Sequence, residues 1–297
     1  MRAPEEAAPP ERPLSGRVVV VSGASRRLGR SYAFALARAG ARVVALARTL
    51  GDDPQQMGTL REVEASARAD GLDVTARRCD LTDEDAVRRV VDDVAQEFGG
   101  IDGIVNNAVA FSERIECSGI ARKDWDEAFA VNVRAPYLLI DGALPHMRAR
   151  GGGSVVNITS LAAGSTGKGG GAHAGLLLYG LTKAALNRMT AWYAAELEDS
   201  GIAVNAISPG DVSVYLRTVN AIDEERSNRD VVAGEQLDEA FWGDPVVWLV
   251  GARPADVTGQ VLHTYAFGEG WGPRRATPRE VSPAVRAILG RDNLRAR

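Results

Sequence analysis

Short runs of apolar, mostly β-branched residues alternate along the chain with longer segments whose apolar residues recur every three to four positions. Such runs are typical of buried parallel strands, and the periodic segments are typical of amphipathic helices. The pattern predicts seven strands, at Val18–Ser22, Arg42–Ala47, Val74–Cys79, Ile101–Asn106, Ser154–Thr159, Ala203–Ser208 and Gln260–Tyr265. It predicts helices near 28–39, 55–70, 82–98, 124–149 and 177–199. This alternation indicates an α/β fold, a doubly wound, mainly parallel sheet with helices on both faces.

Ligands of such sheets bind beyond the carboxyl ends of the strands, so the residues that follow each strand are candidate site residues. The first strand leads into a helix through a glycine-containing turn, in which Gly23 and Gly29 allow close approach of a phosphate. The free N–H groups at the start of the helix favour an anion. The turn predicts a dinucleotide site formed by Gly23, Ser25, Arg26, Arg27, Leu28 and Gly29.

The end of the second strand bears on the choice between NAD and NADP. A carboxylate there would accept a hydrogen bond from the ribose 2′-hydroxyl, whereas an arginine suits the 2′-phosphate. Ala47 stands at the position of the acid and Arg48 follows it, and Arg26 could reach the same phosphate. We therefore expect NADP(H), unless Arg48 points to solvent or Asp52 and Asp53 reach the ribose.

A tyrosine and a lysine are spaced for proton transfer on the last long predicted helix. Tyr179 and Lys183 are four positions apart and share a helix face. A nearby ammonium and a cationic nicotinamide favour the phenolate, and a shift of about 3 pKa units corresponds to about 4 kcal/mol. Tyr179 would then act as a general acid and base. Ser160, which follows a predicted strand, could hold the substrate oxygen.

These motifs together resemble the short-chain dehydrogenase/reductase family over about residues 15–268. The first turn resembles its T-G-x-x-x-G-x-G loop, with Ser22 in place of threonine and Arg27 in place of the middle glycine. Later strand ends resemble its cofactor motifs, at Asp80-Leu81, Asn106-Asn107-Ala108 and Pro209-Gly210 followed by Val212. Four residues match its catalytic tetrad in order, namely Asn132, Ser160, Tyr179 and Lys183.

The resemblance implies a Rossmann-type fold and a role for each matched residue. Asp80 would accept from the adenine amino group, and Asn107 and Ala108 would lie against the adenosine. Pro209, Gly210 and Val212 would close over the nicotinamide. Lys183 would bind the nicotinamide ribose, and Asn132 would hold a water in a proton relay. No metal is expected in such a site.

Two departures from the family pattern concern the substrate pocket. Ser160 precedes Tyr179 by 19 residues, longer than is usual in the family, so Ser165 is a second candidate within a glycine-rich insertion at 164–175. Arg27 is also a feature of pteridine reductases, whereas Ser160 stands where those enzymes typically have aspartate. The resemblance further implies a mobile lid at about 212–243 and pairing through the two long helices into a homodimer or homotetramer.

Composition limits the remaining possibilities. The chain has 297 residues, of which 45% are hydrophobic and 25% charged, and its net charge is −4, so a general attraction to nucleic acid is not expected. No apolar run is long enough to span a membrane. With only Cys79 and Cys117, and no metal-binding cluster of cysteines, a reducing cytoplasm is expected.

The ends of the chain differ in composition from its middle. Residues 1–15 are rich in Pro, Glu and Ala and are expected to form a disordered arm. Residues 16–272 would form a single domain, and residues 273–297 a basic tail with seven arginines.

The function expected from the sequence is NADPH-dependent transfer of hydride to or from a carbonyl or secondary alcohol. Three alternatives stay open: a pteridine-reductase-like C=N reductase, an NAD-dependent alcohol or sugar dehydrogenase, and a non-catalytic dinucleotide-binding protein. In each case the partner would be a small molecule.

Overall fold

A computed structural model describes residues 12–51, 58–111, 119–164, 176–210 and 239–274 of the chain. Its seven parallel strands form one sheet in the order β3-β2-β1-β4-β5-β6-β7. The strands are β1 Val18–Ser22, β2 Arg42–Ala47, β3 Val74–Arg78, β4 Gly103–Asn106, β5 Gly153–Ile158, β6 Ile202–Ser208 and β7 Val261–His263. The helices are α1 Arg27–Arg38, α2 Leu60–Ala69, α3 Glu84–Phe98, α4 Arg122–Phe129, α5 Ala135–Ala149, α6 Leu177–Glu196 and α7 Glu239–Gly251.

Helices cover both faces of the sheet, which confirms the doubly wound, Rossmann-type fold. Alternate residues of a strand point to opposite faces, so Val19 and Val21 of β1 pack with α1, α2 and α7. Val18 and Val20 pack with α3, α5 and α6 on the other face. Burial on both faces explains why the strand reads as an unbroken apolar run in the sequence.

The strand order reverses direction beside β1, which lies between β2 and β4. In register, Val21 of β1 is opposite Ala45 of β2 on one side and Val105 of β4 on the other. The chain therefore leaves β1 and β4 in opposite directions, which opens a crevice beyond their carboxyl ends. The candidate residues of the first turn and of the Asn106-Asn107-Ala108 motif meet at this crevice.

The predicted long helix at 124–149 is divided by a single π-helical turn, Ala130–Arg134, between α4 and α5. Ordinary helix-forming residues make up this turn, so the sequence gives no local signal for it. Such turns occur often at functional sites, and this one contains Asn132.

Two predicted boundaries also differ. Leu14, inside the predicted arm, is fully buried, and its N–H donates to the Ala39 carbonyl at 2.9 Å, so the ordered chain begins before residue 16. Helix α7 was not predicted, because its sequence is apolar all round and contains Pro245. It includes Phe241 and Trp242, which the prediction assigned to the lid and which are instead buried.

Parts of the predicted segments lie outside the described residues. These are 1–11 of the arm, Asp52 and Asp53 after the second strand, 165–175 of the glycine-rich insertion, 212–238 of the lid and 275–297 of the basic tail.

Candidate active site

The Ser22 hydroxyl joins the carboxyl ends of β1 and β4. Its oxygen accepts hydrogen bonds from the backbone N–H groups of Asn107 and Ala108, both at 3.1 Å. The Asn107 side-chain amide returns two bonds, to the carbonyls of Ser22 at 3.0 Å and Gly23 at 3.1 Å. Since all four bonds involve the first turn, the glycine loop is held in a fixed position against the residues that follow β4.

Two glycines of this loop have no room for a side chain. A Cβ on Gly23 would lie 2.7 Å from the Cα of Ala108, and the residue has a φ of +68°. A Cβ on Gly29 would lie 2.5 Å from Asn107 Nδ2 and would overlap the Gly23 carbonyl. Glycine at both positions therefore lets the loop pack directly against Asn107 and Ala108, which places the start of α1 beside the candidate phosphate site.

Arg27 occupies the position of the family's middle glycine in the left-handed conformation that glycine would favour. Its φ is +52°, and it is the only residue other than glycine with a positive φ among those described. A left-handed residue with a Cβ costs roughly 1–2 kcal/mol. The loop thus keeps the backbone path of a glycine while presenting an arginine side chain.

A cleft of about 820 Å³ extends from this loop to Tyr179. Most of the predicted cofactor residues line it, namely Gly23, Ser25, Arg26, Arg27, Leu28, Gly29, Arg48, Leu81, Asn107, Ala108, Tyr179, Lys183 and Pro209. The buried Thr159 hydroxyl also lines the cleft and has no hydrogen-bond partner within the described chain. Gly210 follows Pro209 with a φ of +90°, and Val212 lies outside the described residues.

Asp80 is not among the residues that line the cleft, and its contact with adenine stays a prediction. Its carboxylate accepts from the backbone N–H of Thr82 at 2.9 Å and from the Thr82 hydroxyl at 2.8 Å. Partial burial raises the Asp80 pKa, but these hydrogen bonds and the charges of Arg48 and Arg78 outweigh it, so the net shift is downward. Asp80 therefore stabilises the turn that places Leu81 in the cleft.

Ser160, Tyr179 and Lys183 come together where β5 meets α6. The Ser160 hydroxyl lies close enough to the Tyr179 phenol to lower its pKa, and Ser160 Oγ accepts from the Ala162 N–H at 3.2 Å. Lys183 Nζ lies 5.7 Å from the centroid of the Tyr179 ring and donates to the Ile158 carbonyl at 2.7 Å. Ser165, the second candidate, lies outside the described residues.

Burial dominates the titration of this pair in the cofactor-free protein. It raises the pKa of the Tyr179 phenol, and the hydrogen bond with Ser160 lowers it only in part. Burial lowers the pKa of Lys183 to about 8, so its ammonium still predominates at neutral pH. Burial alone therefore moves the Tyr179 pKa upward, whereas the expectation from the sequence also included a cationic nicotinamide that favours the phenolate.

The Asn132 side chain connects three elements that lie beside Tyr179. Its carboxamide accepts from the Ala110 N–H at 2.8 Å and donates to the Ala110 carbonyl at 3.0 Å. It also donates to the Thr182 hydroxyl at 3.1 Å, which in turn donates to the Tyr179 carbonyl at 2.8 Å. The π-turn, the loop after β4 and helix α6 are therefore connected through one amide group.

Several residues of the site were missed by sequence reasoning. Ala110 and Thr182 hold Asn132, and Phe111 contacts the Tyr179 ring edge-on with centroids 5.2 Å apart. Glu127 of α4 forms an ion pair with Arg48 at 3.3 Å. Thr182 was detectable, since it lies one turn from Tyr179, but nothing local in the sequence relates Glu127 to Arg48.

Within the described residues, no cluster of three or more His, Cys, Asp or Glu side chains could hold a metal ion. Among the same residues, no helix combines the length and the apolarity that crossing a bilayer would require.

Comparison with known proteins agrees with this geometry. The model of the short chain dehydrogenase family matches residues 17–225. Fluoren-9-ol dehydrogenase of Terrabacter sp. is 36% identical over 71% of this chain, which spans 61% of that relative's length. Gluconate 5-dehydrogenase of Gluconobacter oxydans is 31% identical over 84% of this chain and 93% of its own.

A solved structure of a metagenomic short-chain oxidoreductase in complex with NADP has a TM-score of 0.68 and 29% identity. The match covers 84% of this chain and 97% of that one. With the family match, the relatives and this fold in agreement, the chain belongs to the short-chain dehydrogenase/reductase family of oxidoreductases.

Proposed function

We propose that the protein transfers hydride between NADP(H) and a carbonyl or secondary alcohol, with Tyr179 as the general acid and base. The observation that carries this proposal is the Ser160–Tyr179 hydroxyl pair beside Lys183, at one end of a cleft whose other end is the glycine loop. The cleft fits a dinucleotide, since the glycine loop and the start of α1 line it and the Thr159 hydroxyl lacks a partner there in the described structure.

Bound NADPH would supply the hydride, and side chains of the protein would donate or accept the proton. Ser160 and Tyr179 hydrogen-bond the substrate oxygen, and Tyr179 donates its proton as negative charge develops there. Lys183, cationic at neutral pH and buried, stabilises the phenolate that remains. In the oxidative direction the same phenolate accepts the proton of the alcohol.

Asn132 is proposed to act in this reaction by positioning. Its side chain is engaged with Ala110 and Thr182, so a water of a proton relay would have to be held by backbone groups of the π-turn. An Asn132→Ala variant should lose turnover by a larger factor than it loses NADPH affinity. Equal losses of both would indicate a general collapse of the site.

The preference for NADP(H) rests on Arg26 and Arg48 at the rim of the cleft. Titration of the purified protein with NADPH and with NADH tests it directly. Arg48→Asp should weaken NADPH binding and leave NADH binding nearly unchanged, because only NADPH carries the 2′-phosphate. Equal losses for the two cofactors would argue against this role of Arg48.

Two observations favour particular substrate classes. The names of the two dehydrogenase relatives favour a secondary alcohol or its ketone as the substrate. Arg27 favours a pteridine-type C=N reductase, and Ser160 opposes it. A panel of ketones, sugar acids and pterins, assayed by the absorbance of the reduced nicotinamide, separates these classes.

A homodimer or homotetramer is proposed from the exposed apolar side chains on the helices of one face. These are Trp125 of α4, Tyr137 of α5, and Leu177, Leu181 and Trp192 of α6. Light scattering on the purified chain should give a mass above that of one copy, and Trp192→Asp should lower it. A monomer at micromolar concentration would contradict the proposal.

A further inference from the structure

A carboxylate enters the adenosine end of the cleft from helix α4. Glu127 lines the cleft together with Asp124, and its Oε1 lies 3.3 Å from Nη1 of Arg48. Arg48 follows β2 and Glu127 is 79 positions further along the chain, so the fold alone brings them together. Helix α4 therefore supplies a carboxylate, Glu127, near the end of β2, where the sequence itself has no acid.

The charges at this end of the cleft are nearly balanced. Three arginines line it, Arg26, Arg27 and Arg48, against the carboxylates of Glu127 and Asp124. Of these three, only Arg48 forms an ion pair within the described residues. Arg48 also lies near enough to Asp80 to lower the pKa of that carboxyl. The guanidinium that best suits a 2′-phosphate is thus already paired with a carboxylate of the same cleft.

We propose that Glu127 weakens the preference for NADPH over NADH by competing with the 2′-phosphate for Arg48. This inference rests on the proposed use of NADP(H). When the 2′-phosphate binds, it pairs with Arg48 in place of Glu127. The Glu127 carboxylate then lies beside a dianion without its former partner. NADH carries no phosphate there and leaves the ion pair intact. Glu127 therefore narrows the difference in affinity between the two cofactors.

The size of the effect follows from the exposure of the pair. The side chains of Arg48 and Glu127 are 65% and 46% exposed. Exposed pairs contribute up to about 1 kcal/mol, which is about fivefold in a dissociation constant. Glu127→Gln should therefore lower the dissociation constant of NADPH about fivefold, and it should change that of NADH less than twofold. Because the pair is exposed, the gain should shrink as salt is raised.

Asp126→Asn provides the matched control. Asp126 lies on the same helix, does not line the cleft, and pairs with Arg122 at 3.4 Å. It makes the same change in net charge and should leave both dissociation constants within about twofold of wild type. A second test combines Glu127→Gln with Arg48→Ala, where the gain should largely disappear because no guanidinium remains to be released.

Binding is measured by titrating the full-length purified protein with each cofactor, without substrate. A selective gain for NADPH in Glu127→Gln, absent in Asp126→Asn, supports the proposal. An unchanged ratio of the two affinities, or an equal gain for both cofactors, overturns the role of Glu127 while the proposed function stands. A wild-type protein that binds neither cofactor overturns the proposed function and this inference with it.

Discussion

Replacing Gly29 by alanine adds one methyl group at the most crowded point of the glycine loop. The new Cβ would overlap the Gly23 carbonyl and lie 2.5 Å from Asn107 Nδ2. Neither neighbour is the free end of a flexible side chain. The Asn107 amide donates to both the Ser22 and Gly23 carbonyls, so moving it breaks two hydrogen bonds.

The expected magnitude combines three contributions. Alanine would favour a helix by about 0.5–1 kcal/mol over glycine. Overpacking costs about 1–3 kcal/mol, and each lost hydrogen bond costs about 1 kcal/mol. The net result is a loss of about 2 kcal/mol in the free energy of unfolding, or about 5 °C in Tm for a domain of this size. Displacement of the loop should also weaken NADPH binding at least about tenfold.

Thermal unfolding and cofactor titration of Gly29→Ala check both numbers. Gly251→Ala is the control, because Gly251 also lies in a helix, α7, but has room for a methyl group. Its Cβ would lie 3.5 Å from a Leu14 methyl, which is an ordinary contact. That variant should stay within about 0.5 kcal/mol of wild type. If Gly29→Ala were as stable as this control and bound NADPH normally, the assigned loop geometry would be wrong.

Three further changes test other parts of the site. Arg27→Gly should raise the free energy of unfolding by about 1 kcal/mol, because it relieves left-handed strain; denaturant titration that shows a loss would contradict this. Ser22→Ala should cost about 1–2 kcal/mol in the same assay, since two partly buried N–H groups lose their acceptor, and an unchanged midpoint would count against the bonds to Asn107 and Ala108.

The third change concerns Lys183, whose pKa is about 8 in the folded protein and higher when unfolded. The unfolded chain therefore binds more protons between these values, and stability from this group rises with pH. From pH 8 to pH 10, the free energy of unfolding of wild type should rise by about 2 kcal/mol relative to that of Lys183→Met. A difference that does not change with pH would refute the lowered pKa of Lys183.

The sequence was sufficient for those parts of the fold that depend on local pattern. Buried strands such as Val18–Ser22 read as apolar runs, and the residues that follow them could be assigned to one edge of the sheet. Spacing along the chain favoured Ser165, but the register of the preceding strand favoured Ser160 at the carboxyl edge of the sheet, and Ser160 lies beside Tyr179.

Features that depend on tertiary contacts could not be predicted. The π-turn at Asn132 has no local signature, and helix α7 carries no amphipathic period since it is buried between α1 and the sheet. The Asp80 carboxylate accepts from Thr82, a contact that the strand-end motif alone does not indicate. The pairing of Glu127 with Arg48 joins two elements distant in sequence, so reading β2 alone could not reveal it.

The central claim is that the Tyr179 hydroxyl transfers the proton while the rest of the cleft binds the cofactor. Tyr179→Phe removes that oxygen and keeps the ring that contacts Phe111. With a substrate identified from the carbonyl panel, its kcat should fall by about 10²–10⁴ and the dissociation constant of NADPH should stay within about twofold of wild type. A phenylalanine variant that turns over at the wild-type rate would contradict the account.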